Sequence, residues 1–239
     1  ALLSAANAEG RRLRFGDDLS TQGLGRVLGY ESGDLTCTVE AGVRLSALQA
    51  MLAEAGQRLS LDPPGDPTVG ALIAENVSGP LRHRFGAPRD LVLGVTLVLA
   101  DGTVANAGGK VVKNVAGYDL SRLVCGSRGR LALIARASFR LHPLPKAART
   151  LVVEPDDVPA TVAGLLRSQL EPSALDVLHP GRVAVLFEGS ERAVDAQLEA
   201  ARRIVGGSEA GAEVWQGSRS RQAAARARIR FDPGRLAET

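Results

Sequence analysis

The residues best suited to chemistry are gathered in one stretch, 63 to 90, "PPGDPTVGALIAENVSGPLRHRFGAPRD". Pro63, Pro64, Gly65 and Pro67 exclude regular structure, and Thr68 then opens a short apolar helix, "TVGALIAEN". The first-turn N–H groups of that helix are expected to be free to face an anion. Gly70 removes a side chain where a ligand's backbone would come close. Asn76, Ser78, Gly79, Pro80, Arg82, His83, Arg84, Gly86, Pro88, Arg89 and Asp90 follow. Loops this long and this rich in glycine and small hydroxyls are seldom mere connections.

A second glycine-rich region supplies Gly108, Gly109, Lys110, Lys113, Asn114 and Gly117 ahead of a helix "YDLSRLVC", then Gly126, Ser127 and Gly129 ahead of a long apolar strand. Two such loops framing one sheet can close on a phosphate-bearing ligand, with Arg82, Arg84, Lys110 and Lys113 to neutralise it. Each feature also has a plain reading. A glycine loop can be surface connection, a lone cation is more often a solvated charge, and Asp119 reads first as a helix N-cap. Tyr118 and His142 read as core rather than catalytic. Arg219 to Arg230 could form a partner-binding patch, but it reads first as the wet face of an edge strand, "ARIRFDP", that resists aggregation. "GLGRVLG" at 23 to 29 mimics a dinucleotide fingerprint but lacks the preceding buried strand and following helix, so it reads as a turn.

Composition narrows the partners. The 239 residues are 45% apolar, enough for a sizeable core, and carry a formal charge of only +3 with 3% aromatics. Nucleic-acid binding through bulk field or base stacking is therefore not expected. No apolar run of about 18 residues exists to span a membrane, and "ALLSAANAEGRR" lacks the charge order of a signal peptide. Cys37 and Cys125 form no CxxC, which points to a reducing compartment and buried thiols. His83, His142 and His179 lack metal-ligand spacing, so no metal is expected.

The elements that must position these loops read as follows. A helix "LLSAANAEG" runs into a strand "RRLRF", and a strand "LTCTVEAG" precedes a helix with Leu45, Leu48, Leu52 and Ala55 on one face, closed by Gly56. The strand-like "QRLSL" leads into the first loop. "LVLGVTLVLADGTVANAGG" carries an Asp101-Gly102 hairpin turn. In the next strand, alternation sets Ile134, Arg136, Ser138 and Arg140 against Ala135, Ala137, Phe139 and Leu141. "HPLPK" marks a domain boundary near 145. Beyond it come a strand "TLVVEP", a helix, two strands around Pro180-Gly181, and a helix with Ser190 as N-cap and Gly206 past its end, resembling half of a ferredoxin-like sandwich. Poor order is expected from Gly211 until "ARIRFDP".

The two loops together, "PPGDPTVGALIAENVSGPLRHRFGAPRDLVLGVTLVLADGTV" and "GGKVVKNVAGYDLSRLVCGSRGRLALI", closely resemble the FAD-binding subunit family of bacterial glycolate oxidase, or glycolate dehydrogenase. These are flavoproteins of the vanillyl-alcohol oxidase and p-cresol methylhydroxylase (PCMH) type. The resemblance is specific from Gly33 to Pro143 and weak over the last 30 residues. It implies an α+β fold: a two-subdomain PCMH-type FAD-binding domain over 1–145, split near 60, then a truncated ferredoxin-like cap over 146–239. It implies non-covalent FAD held by Pro64, Gly65, Thr68, Val69, Gly70, Asn76, Ser78, Gly79, Gly86, Asp90, Asp119, Gly126, Ser127, Gly129 and Ile134.

It further implies an FAD-dependent oxidoreductase subunit acting on a small 2-hydroxy acid, with a larger FAD-containing catalytic subunit and an iron–sulfur subunit as partners. The expected location is the cytoplasm, peripheral to the inner membrane through the complex. The alternatives are an autonomous flavin oxidase of another alcohol, and a structural subunit that has lost FAD. Two departures stand out. The family's "GGGTK"-like first phosphate loop is missing where Phe15 runs straight into Gly16-Asp17-Asp18; it is either lost from the protein or dropped from the sequence as a mobile segment. No His/Glu constellation after 150 offers the base that hydride transfer from an alcohol requires, so no catalytic residue is assigned.

Overall fold

The computed structural model describes residues 1–14, 18–109 and 119–225, which divide into two compact units: 1–78 with 86–144, and 79–85 with 145 onward. The chain order is α1 (Leu2–Ala8), β1 (Val27–Glu31), β2 (Thr36–Glu40), α2 (Leu45–Glu54), β3 (Gln57–Arg58), α3 (Val69–Glu75), α4 (Arg82–Phe85), α5 (Pro88–Leu91), β4 (Val92–Val98), β5 (Val104–Gly108), α6 (Leu120–Val124), β6 (Leu133–Arg140) and β7 (His142–Pro143). It continues through β8 (Ala147–Val153), α7 (Val158–Arg167), β9 (Ala174–Leu178), β10 (Arg182–Gly189), α8 (Glu191–Val205), β11 (Ser208–Ala210) and α9 (Glu213–Ala224).

In the first unit an antiparallel sheet runs β1-β2-β6-β4-β5, and β3 pairs separately with β7. Val39, Leu48, Leu52, Leu72, Ile73 and Phe139 are among the residues of one continuous core. The Asp101-Gly102 turn joins β4 to β5 as expected, with Asp101 Oδ1 accepting from the Thr103 N–H at 2.8 Å. Leu45, Leu48 and Leu52 bury one face of α2, whereas Ala55 caps the helix and is exposed.

Three expectations need correction here. Arg11 to Arg14 forms no strand, because these largely exposed residues find no partner strand to bond. The alternation of β6 breaks at Ala135: Ile134 pairs with Leu97 and Arg136 with Thr96, so one extra residue bulges out. Ile134 therefore enters the core with Ala137 and Phe139 instead of sharing the outer face with Arg136. Third, α2 to α3 is less open than its prolines suggest, as the site below shows.

The second unit has the order β11-β8-β10-β9, all antiparallel. With α7 and α8 in the connections this is a complete β-α-β-β-α-β ferredoxin-like arrangement, not half of one. The final strand β11 is only three residues long, too short to announce itself by alternation. Val183, Val185 and Phe187 of β10 pack with α7 and α8, through Val162, Leu165, Val194, Leu198 and Ala201. Ala184 of the same strand packs in a different cluster with Leu178, Leu81 and Trp215. Since strand side chains alternate, both faces of this sheet are covered, the second by α9 and α4. The segment expected to lack order after Gly211 is thus largely α9, while "ARIRFDP" lies outside the described residues.

Candidate cofactor-binding site

The proline loop is pinned at its Asp66–Pro67 end. Asp66 accepts from the Ser46 N–H at 2.9 Å and the Ser46 hydroxyl at 2.8 Å, which caps the start of α2. Arg44 Nη1 donates to the Asp66 carbonyl at 2.7 Å, and the Leu45 N–H donates to the Pro67 carbonyl at 3.0 Å. At the crest, Gly65 has φ +70 and nothing within 4 Å of where a side chain would begin.

The N–H groups at the start of α3 are not free, contrary to the sequence expectation. Val69 donates to the Val43 carbonyl at 2.9 Å and Gly70 to the Ala41 carbonyl at 2.7 Å. Ala71 donates to the Thr68 hydroxyl at 3.3 Å, which makes Thr68 the N-cap. A side chain on Gly70 would meet Ala41 Cβ at 3.0 Å and its carbonyl oxygen at 3.2 Å. The glycine therefore fits closely against the chain segment after β2, whatever else it faces.

At the other end of α3, roughly 10 Å away for seven residues at 1.5 Å each, a second group of expected residues meets. Asn76 ends the helix in the left-handed region at φ 50, and its Oδ1 accepts from the Arg89 N–H at 3.1 Å. The Gly126 N–H donates to the Ile73 carbonyl at 3.0 Å and the Arg128 N–H to the Ala74 carbonyl at 2.8 Å, so the "GSRG" turn caps α3. Gly126, Arg128 and Gly129 all have positive φ, and Ser127 Oγ is buried without a described partner. Asp90 Oδ2 accepts from the Ala87 N–H at 2.8 Å. Gly86, at φ +81, leaves that carboxylate room: a Cβ there would lie 2.7 Å from Asp90 Oδ2.

The remaining expected residues scatter. Asp119 is the N-cap of α6, accepting from the Arg122 N–H at 3.0 Å, as its plain reading had it. Ser78 is buried beside these groups in the first unit, while Gly79 belongs to the second. Ile134 is 5% exposed, inside the core. Arg84 belongs to the second unit and pairs with Glu171 at 3.5 Å, which gives it a structural partner. Lys110, Lys113, Asn114, Gly117 and Tyr118 lie outside the described residues, as do Phe15, Gly16 and Asp17 where the missing loop would begin.

Burial sets the state of several groups. It pushes the thiols of Cys37 and Cys125 up to about 12, so neither offers a thiolate near neutral pH. It also lowers His83. Among the described residues, no group of three or more His, Cys, Asp or Glu could hold a metal ion.

Sequence reasoning missed Arg26 and Glu40. Glu40 ends β2 almost fully buried and accepts from the Arg26 N–H at 2.9 Å and from Arg26 Nη2 at 2.8 Å. The signal was available, since a carboxylate inside the apolar run "TCTVEAG" must be paired. The "GLGRVLG" stretch is a turn leading into β1: the Leu24 N–H donates to the Thr21 carbonyl at 2.9 Å.

Residues 16–108 match the family model described as "FAD binding domain". The glycolate oxidase subunit GlcE of Escherichia coli (strain K12) is 34% identical over 201 residues, covering 82% of this chain and 56% of that protein. The glycolate oxidase subunit GlcD of Bacillus subtilis (strain 168) is 33% identical over 172 residues, covering 68% of this chain and 36% of that one. The chain thus spans about half or less of the length of these relatives. A solved alkyldihydroxyacetonephosphate synthase shares the fold with a TM-score of 0.67 at 17% identity, over 82% of this chain and 45% of that one. Residues 16–108 thus belong to the FAD binding domain family.

Proposed function

We propose that the chain is the FAD-binding subunit of a multi-subunit 2-hydroxy-acid dehydrogenase, of which glycolate is the first substrate to test. The observation that carries this is the identity with a glycolate oxidase subunit over 201 residues, which takes in the loops on both sides of α3. The expected partners are a larger flavin-containing catalytic subunit and an iron–sulfur subunit, in the cytoplasm and peripheral to the inner membrane. Among the described residues no helix is long and apolar enough to cross a membrane. In this reading residues 1–145 form the cofactor domain and 146–239 a shortened cap.

The residues suit a flavin dinucleotide held without a covalent bond. Gly65, next to Pro64, offers an open crest without a side chain. Ser127 brings a buried hydroxyl that lacks a described partner. Thr68, Val69, Gly70, Asn76, Ser78, Gly86, Asp90, Gly126 and Gly129 then act as the near wall and its support rather than as amide donors. When bound, FAD supplies the acceptor for the hydride and relays the electrons onward. This chain's residues bind and orient it.

The test is to purify the chain, look for a flavin spectrum before and after adding FAD, and assay glycolate and D-lactate with and without the partner subunits. Flavin uptake with turnover only in the assembled complex is the expected result. Turnover by the lone chain would make it an autonomous flavin oxidase. A colourless protein that takes up no FAD would make it a structural subunit.

A further inference from the structure

The four residues from Glu40 to Val43 are gripped from two sides. From one side comes the turn at Thr21 to Arg26: the Glu40 N–H donates to the Arg26 carbonyl at 2.9 Å and the Gly42 N–H to the Leu24 carbonyl at 2.8 Å. A Cβ on Gly42 would lie 2.0 Å from the Thr21 carbonyl oxygen and 2.7 Å from that of Leu24, so this contact needs glycine. From the other side come the amides of Val69 and Gly70, bonded to the carbonyls of Val43 and Ala41. The Ala41 N–H is held by the carbonyl of Ala135, the bulged residue of β6.

One ion pair closes this stack. The Glu40 side chain is 2% exposed and that of Arg26 74%, so a buried carboxylate reaches outward to a surface guanidinium. Arg136, its cross-strand neighbour, adds a second positive charge, and both hold the Glu40 carboxyl below its usual range. An ion pair of this kind is a poor source of stability, since desolvating the carboxylate offsets the attraction, but it fixes geometry. What it fixes is the Thr21–Arg26 turn against the strand end on which α3 begins.

We infer that Glu40 is a positioning residue for FAD, setting through Arg26 and the 40–43 segment the placement of the Pro64–Gly70 loop. The inference rests on the FAD reading above. Glu40 touches no cofactor in this account; it holds the support on which two separate parts of the FAD binding domain, the Thr21–Arg26 turn and the start of α3, are registered to each other.

The experiment titrates FAD into the full chain and into Glu40→Gln and Arg26→Lys, following quenching of flavin fluorescence, with melting of each apoprotein as control. Gln keeps the shape and one acceptor while removing the buried charge, and Lys keeps the cation while removing the fork. Both variants are expected to retain the wild-type fold and melting profile yet bind FAD roughly threefold to thirtyfold more weakly, the range of coupling through a packed support. The visible circular dichroism of the bound flavin should also change. Wild-type affinity and flavin dichroism in both variants overturn the inference. Loss of melting temperature without loss of affinity also overturns it, by making the pair purely structural. If the wild type itself takes up no FAD, the function proposed above falls and this inference with it.

Discussion

The amide of Gly70 donates to the carbonyl of Ala41 at 2.7 Å, and the same carbonyl oxygen lies 3.2 Å from where a Gly70 side chain would begin. A helix start that looks made for a ligand is thus already occupied by the protein's own backbone. Gly70→Ala is expected to cost ~1–3 kcal/mol from overpacking, offset in part by ~0.5–1 kcal/mol of helix propensity. Gly70→Leu should lose more, and should lose FAD as a consequence of moving α3. Urea unfolding of the apoproteins checks this: a wild-type midpoint in Gly70→Leu would show that the helix start does not pack on Ala41.

Asn76 combines a left-handed backbone with a side-chain bond to the Arg89 N–H. Asn76→Ala strains the first and loses the second, for a loss of ~1–3 kcal/mol. Asn76→Gly loses only the bond and should fall between. Denaturant midpoints in the order wild type, glycine, alanine are the expected outcome.

Trp215 is the chain's single tryptophan, and its Nε1–H donates to the Thr150 hydroxyl at 2.8 Å in a buried setting. Its fluorescence therefore reports on α9 and the sheet of the second unit alone. Trp215→Phe and Thr150→Val each leave one buried group without its partner and should cost ~1–3 kcal/mol. The double variant should cost less than the sum, because then no group is orphaned. Full additivity in chemical unfolding would mean that the bond carries nothing.

Asp176 accepts a hydrogen bond from the Ser218 hydroxyl of α9, and its burial raises its carboxyl above the ordinary value of 3.8. The fold thus favours the protonated form. That contribution is complete below the unfolded-state value and is lost as pH rises through the higher folded one. Asp176→Asn should therefore gain stability relative to wild type over the interval in which pH rises from the ordinary carboxyl value through the raised folded one. Melting curves across that interval test the sign, and a constant difference would mean that Asp176 titrates alike in both states.

Local signals carried far in this chain. The Asp101-Gly102 hairpin, the Thr68 and Asp119 caps, the leucine face of α2 and the Gly206 stop of α8 were legible because neighbouring residues decide them. What failed depended on distant partners. The bulge at Ala135 is one residue in an otherwise regular strand, and it reverses the facing of Ile134. α9 hides its single aromatic anchor among arginines and small residues. The amides of Val69 and Gly70 are taken by carbonyls more than twenty residues earlier, which no local pattern announces.

Residues 79 to 85 group with the second unit although both their flanks, up to Ser78 and from Gly86, belong to the first. Leu81 and Phe85 on this excursion join Leu178, Ala184 and Trp215. No single cut in the polypeptide can therefore yield both units whole. A fragment beginning at 145 would leave that plug behind and bare the indole face of its sheet. Gene fusion or recombination at the proline-rich junction alone would transplant an incomplete module, so any exchange of this second unit between relatives must carry the short inserted segment as well.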